Sequence, residues 1–211
     1  MPKVKDNEIK NIATAKRGFV SALKKVSQHI EKPFREVNMA NITFQFNQTK
    51  AIEAILYLAQ KVSGPDIYGI CKLLYLVDKT SLEKYGRFIF GESYFAMKEG
   101  PTPSNVYDLL KQVAKKPVYG LSVEGNQVIP LRNPDLDYLS ESDIECLDQI
   151  ISVYGKVPNW LRARDAHDNA WQESWYKRGR KRSVKMPIKS IVELLTDSVD
   201  LADYLSNHGT D

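Results

Sequence analysis

The stretch from Asp66 to Gly86 constrains this chain more than any other. Ile67, Ile70, Cys71, Leu73, Leu74, Leu76 and Val77 place apolar side chains almost all the way round a helix. A helix that is apolar on every side cannot lie on a surface, so it belongs at the centre of a domain with neighbours around it. Asp66 is placed to cap its start and Gly86 to end it. The rest of the chain must then supply a shell of amphipathic elements.

It does so in order. Asn47 caps a helix with Ile52, Ile55, Leu56, Ala59 and Val62 on one face, stopped by Ser63, Gly64 and Pro65. The segment RFIFGESYFAMKEGPTP reads as two brief extended pieces joined by turns. Ser104 or Thr102 starts a helix with Val106, Leu109, Leu110 and Val113, and VYGLSVE and QVIPL flank a Gly125-Asn126 hairpin turn. Ser140 or Ser142 caps a helix that Gly155 closes, and Pro158 opens another as its first residue. One last helix is expected from about Pro187 to Tyr204, carrying Ile188, Ile191, Val192, Leu195, Val199 and Leu201. Six or seven helices result. The expectation is a mainly α fold: a single compact helical domain over residues 41–211 with a small β-hairpin or short sheet. Residues 1–40 form a basic N-terminal helical extension and linker, in which Asn7 to Ile30 reads as an amphipathic helix.

Composition narrows the function. Hydrophobic residues make up 43% and charged residues 27% of 211, the proportions of an ordinary globular chain. No apolar run approaches the roughly 20 residues that span a bilayer, and the N-terminus has no signal-peptide core, so a cytoplasmic protein without a membrane partner is expected. Cys71 and Cys146 both fall in apolar helical patterns and read as buried free thiols. There is no GxSxG elbow and no P-loop. His29, His167 and His208 are too widely spaced for a metal site. Asp165 and His167 point apart on a helix, so His167 reads as packing near Trp171. At least two of Trp160, Trp171 and Trp175 are expected in the core. No catalytic residue, metal or cofactor is assigned.

Net charge is only +4, but cations cluster in two places. One holds Lys3, Lys5, Lys10, Lys16, Arg17, Lys24 and Lys25; the other holds Lys177, Arg178, Arg180, Lys181, Arg182 and Lys185. The second reads as a solvated loop between two helices, as a nucleic-acid surface that neutralises phosphates, though aromatics do not interleave it as a single-strand surface needs and only Trp175 and Tyr176 lie just before it, or as a docking surface for an acidic or nucleotide-using partner.

The block KLLYLVDKTSLEKYGRFIFGESYFAMKEGPTPSNVYDLL carries a resemblance. The buried helix with Lys72, Leu73, Leu74 and Tyr75, the turn Lys84-Tyr85-Gly86, the run Phe95 to Pro101, and His167 followed by Ala170 and Trp171 resemble the Panacea domain. This is the SocA-like antitoxin family, also met among phage-associated proteins, and the similarity runs from about Thr43 to Leu205. It implies a helical, non-enzymatic partner of a cognate toxin encoded nearby, neutralised by direct binding. Toxins paired with this domain are diverse, so the fold does not name the target. A proteolytic adaptor that delivers the toxin to a protease, and a regulator that binds its own operator DNA, stand as alternatives. Lys84, Tyr85, Lys98 and Tyr107 are contact candidates around the block, with Gly86, Gly100 and Pro101 shaping its turns and His167 and Trp171 as structural residues. Residues 1–40 fall outside the family pattern, and Phe19 and Leu23 of their helix are candidates for a groove on the toxin.

Overall fold

Asp66 and Gly86 bracket the helix that organises the fold. The computed structural model describes residue 42 and residues 44–208, and the expected N-terminal extension, with Phe19 and Leu23, lies outside them. Helix α1 (Gln48–Lys61) starts where Asn47 Oδ1 accepts the Lys50 amide, 3.0 Å away. Helix α2 (Ile67–Tyr85) starts where Asp66 Oδ1 accepts the Gly69 amide at 2.6 Å and ends on Gly86 at φ +64°. Leu73, Leu74, Tyr75 and Val77 have no exposed surface at all. Each buried aliphatic side chain contributes about 1.5–3 kcal/mol, which is why α2 takes the centre.

A short antiparallel pair follows, β1 (Tyr94–Met97) and β2 (Gly100–Pro103), then α3 (Ser104–Lys115). The hairpin β3 (Leu121–Glu124) and β4 (Gln127–Pro130) turns through Gly125 and Asn126. Of those two residues only Gly125 has positive φ, at +62°, the pattern of a type II′ turn. The turn is pinned to the start of α2 by bonds from the Ile67 amide to the Asn126 carbonyl and from the Val128 amide to the Pro65 carbonyl. A 3₁₀ turn (Leu136–Tyr138) leads to α4 (Glu141–Tyr154), α5 (Asn159–Ala166), α6 (Asn169–Lys177), β5 (Val184–Lys185), α7 (Ile188–Val192) and α8 (Ser198–His208). Helix α2 packs against α3, α4, α5 and β2, while α6 lies over β1 and β5. Mainly helical with small antiparallel sheets, the fold is the expected one. Among the described residues no helix is long and apolar enough to cross a membrane.

Three local expectations need correction. The single helix from Pro187 to Tyr204 is two, α7 and α8. Thr196 gives both its amide and its hydroxyl to Glu83 Oε1 of α2, at 3.2 and 2.7 Å, and α8 begins anew behind Asp197. The basic segment is not only a loop between helices: Val184 and Lys185 pair with Ala96 and Phe95, so β1–β2 becomes a three-stranded sheet in the order β2-β1-β5. Helix α3 starts at Ser104 as expected, though neither Thr102 nor Ser104 caps it with its side chain. The buried Glu92 does so from afar, accepting the Asn105 and Val106 amides at 3.2 and 3.0 Å as well as the Ser93 amide at 2.7 Å. Pro158 stands at the cap of α5 and not inside it. Ser140 caps α4 as one half of a capping box with Asp143.

Buried charges tie the shell together. Arg132 grips Glu53 of α1 through two bonds, 2.6 and 2.8 Å long, and the Asp135 amide adds a third. Asp143 lies between Lys50 and Arg87, at 2.5 and 2.8 Å. Burial works against its charge, but hydrogen bonds with Lys50, Ser140 and Arg87 hold the carboxyl below its usual range. Cys71 and Cys146 are both buried and free.

Candidate functional site

Lys72, Tyr75 and Lys79 stand three and four residues apart on α2, and therefore on one face. That face meets the β1–β2 turn, the end of α5 and the start of α6. The Lys72 ammonium donates to the Pro101 carbonyl at 2.8 Å, and the residue is only 2% exposed. Burial lowers its pKa to about 8. Tyr75 donates its phenolic proton to Asp168 Oδ2 at 2.9 Å, and Lys79 reaches the same oxygen at 2.6 Å. Asp168 is also the N-cap of α6, its other oxygen accepting the Trp171 amide at 3.2 Å. One carboxylate thus locks α6 onto α2.

Gly100 closes the arrangement. At its φ of +106°, a Cβ would stand 2.5 Å from His167 Nε2 and 2.9 Å from Lys72 Cε. Only glycine lets the turn, the lysine and the histidine share this space. His167 ends α5 and stacks on Trp171, ring centroids 4.1 Å apart. Trp171 in turn donates its indole proton to the Met97 carbonyl at 2.9 Å. Burial lowers the pKa of the imidazole against the pull of the Glu99 carbonyl, and its Nε2 is buried with no hydrogen-bond partner among the described residues. Gly100, Pro101, His167 and Trp171 therefore meet at one point. Sequence reasoning did not assign Lys79 or Asp168 to it, although the spacing of Lys72, Tyr75 and Lys79 marks a polar line along one face of the helix.

Over this floor opens a groove of about 340 Å³, lined by Tyr68, Lys72, Glu99, Asn159, Trp160 and Ala163. Trp160 is 68% and Tyr68 44% exposed, so of the three tryptophans Trp160 stands outside the core while Trp171 and Trp175 are half-buried. The walls approach closely because residue 69 is glycine: a Cβ there would stand 2.6 Å from Asn159 Oδ1. Asn159 is held by Arg162, which is 1% exposed and also donates to the Tyr154 and Gly155 carbonyls. The exposed rim therefore stands on a rigid base. The groove offers aromatic area, one buried ammonium and one exposed carboxylate.

Other candidates lie elsewhere. Lys84 and Tyr85 both bond Glu145 of α4, at 2.8 and 2.5 Å. They sit at the far end of α2, about 24 Å along the axis from Tyr68 at 1.5 Å per residue. Gly86, at that same end, closes α2, and its missing Cβ makes room for Tyr204. Lys98 projects from the β1–β2 turn next to Glu99, and Tyr107 packs part-buried against the core with Lys111 over its ring. Asp165 bonds Tyr154 and Arg164, and among the described residues no hydrogen bond joins it to His167.

Residues 70–172 match the family model described as Antitoxin SocA-like, Panacea domain. The match is narrower than the span from Thr43 to Leu205 that the resemblance covers, and it contains every residue of the polar line, the turn and the His167–Trp171 stack. No curated protein and no solved structure matches the chain.

Proposed function

We propose, from the match of residues 70–172 to the model of the SocA-like antitoxin Panacea domain, that the chain is an antitoxin, acting by binding and not by catalysis on a toxin encoded beside it. The observation that carries the reading is the groove between Tyr68 and Trp160, on a floor made by the matched residues. Large, rigid, exposed aromatics above a fixed base are what a protein-binding hot spot needs, since little side-chain entropy is lost on contact. Lys72 uses one of its three donors on Pro101, leaving two for acceptors on an entering segment.

The test is co-expression with the neighbouring open reading frame in a bacterial host, scoring growth and co-purification. The wild-type chain rescues growth and co-purifies with the neighbour. Trp160→Ala combined with Tyr68→Ala loses both, by about a hundred-fold or more in affinity if the pair is a hot spot, with an unchanged melting curve. A harmless neighbour, or full rescue by the double variant, would overturn the reading or its placement on this groove respectively.

A further inference from the structure

Past the family match, the chain carries seven cations and no acidic residue between Glu173 and Glu193. Six of them, Lys177, Arg178, Arg180, Lys181, Arg182 and Lys185, lie on an arch from the end of α6 to β5. Both ends of the arch are anchored. At one, Trp175 lies nearly parallel to Trp171, ring centroids 5.9 Å apart, and the Arg178 guanidinium stands 3.5 Å from the Trp175 ring centroid and donates to the Trp175 carbonyl at 2.7 Å. At the other, β5 pairs with β1 and the Met186 amide bonds the Tyr94 carbonyl at 2.8 Å, with Met186 buried. Gly179, at φ +63°, bends the chain between them.

Arg180, Lys181, Arg182 and Lys185 are exposed and make no ion pair among the described residues, whereas Lys177 is paired with Glu173. Arg180, Lys181 and Arg182 are consecutive and Lys185 follows three residues on, and four unpaired like charges so close along the chain repel one another and favour a polyanion as partner. Tyr176, 78% exposed, lies on the last turn of α6, just before them in the chain. Cations along a short track with an adjacent open aromatic ring match a phosphodiester chain whose bases can unstack: the cations take phosphates and the ring takes a base. A duplex hides its base faces and would leave Tyr176 unused, and a chain of carboxylates alone has no ring to set against it.

We infer that the arch from Tyr176 to Lys185 is a binding surface for single-stranded nucleic acid. It is separate from the aromatic groove and independent of the antitoxin reading. The experiment uses the full chain and a fluorescein-labelled oligouridylate of about twenty nucleotides, longer than the roughly 4–16 that one small module covers, followed by anisotropy across a salt series. The wild-type chain binds, and its affinity falls with salt. Arg180→Glu with Lys181→Glu and Arg182→Glu weakens binding at least ten-fold and flattens the salt slope by about 0.7 for each phosphate no longer neutralised. Tyr176→Ala weakens binding several-fold and leaves the slope unchanged, which a purely ionic interaction would not do. The exposed positions keep the variants folded, checked by an unchanged melting curve and, where the neighbour is a toxin, by retained rescue.

The proposal fails on any of four results. These are no binding at low salt, binding undiminished by the triple reversal, which would move it to the lysines of residues 3–25, equal competition by polyglutamate, or preference for phosphatidylserine vesicles or duplex DNA over the single strand.

Discussion

At Gly100 one hydrogen atom stands where a methyl group would meet both His167 and Lys72. Gly100→Ala has to strain a backbone at φ +106° and push two buried side chains, so it costs about 2–4 kcal/mol. Gly125→Ala is the control: its φ is also positive, at +62°, but nothing lies within 4 Å of the added carbon, so the cost is about 1 kcal/mol. Urea unfolding of both variants checks this, and equal losses would show that backbone strain alone explains Gly100. The residue scale is also where the sequence was least readable. Lys72 with Pro101, Trp171 with Met97 and Tyr75 with Asp168 are separated by 29, 74 and 93 positions. Two of these pairs end on backbone carbonyls, which no sequence letter encodes. Gly100, Pro101, His167 and Trp171 could be named together only through a family resemblance. The polar line on α2 was readable by spacing, but its partner Asp168 was not.

Among the elements, α3 depends on a residue outside itself. Glu92 accepts the amides of Ser93, Asn105 and Val106 and the Asn105 side chain, so it also ties the start of β1 to the start of the helix. Glu92→Ala leaves those buried donors without a partner and costs about 2–4 kcal/mol, read as a lower urea midpoint with an unchanged slope. A loss under about 1 kcal/mol would mean that water replaces the carboxylate. Local signals placed most elements: Asn47, Asp66, Ser140 and Gly86 act where their chemistry predicts, and Gly125-Asn126 turns the hairpin. What escaped was decided at a distance. The apolar spacing from Ile188 to Leu201 runs on without a break, yet Glu83 of α2 captures Thr196 and divides it into two helices. Val184 and Lys185 are too short a stretch to signal a strand until β1 offers its free edge.

For the molecule as a whole, the buried Asp78 gives stability an unusual dependence on pH. Burial raises its carboxyl from the ordinary 3.8 to about 7, against hydrogen bonds from the Ile89 amide and the Tyr94 hydroxyl, both 2.8 Å. The folded state keeps a proton that the unfolded chain has released, so this group's contribution declines as pH rises from about 4 to about 7 and stays low above that. The span corresponds to at most about 4 kcal/mol. Glu92, also raised by burial, acts in the same direction, whereas Asp143 and Glu53, held below their usual range, lose stability as pH falls. Asp78→Asn isolates the one group. The difference in unfolding free energy between variant and wild type should shift in the variant's favour between pH 4 and 7, and parallel profiles would refute the assignment. The groove floor has a consequence of another kind. Lys72, Trp171 and Arg162 secure it largely through main-chain carbonyls, those of Pro101, Met97, Tyr154 and Gly155. Main-chain acceptors are the same whatever side chain a position bears, so the rim at Tyr68, Glu99 and Trp160 is free to drift in sequence while the platform stays whole. Such a scaffold can exchange one partner for another by rewriting its edge, without having to learn again how to fold.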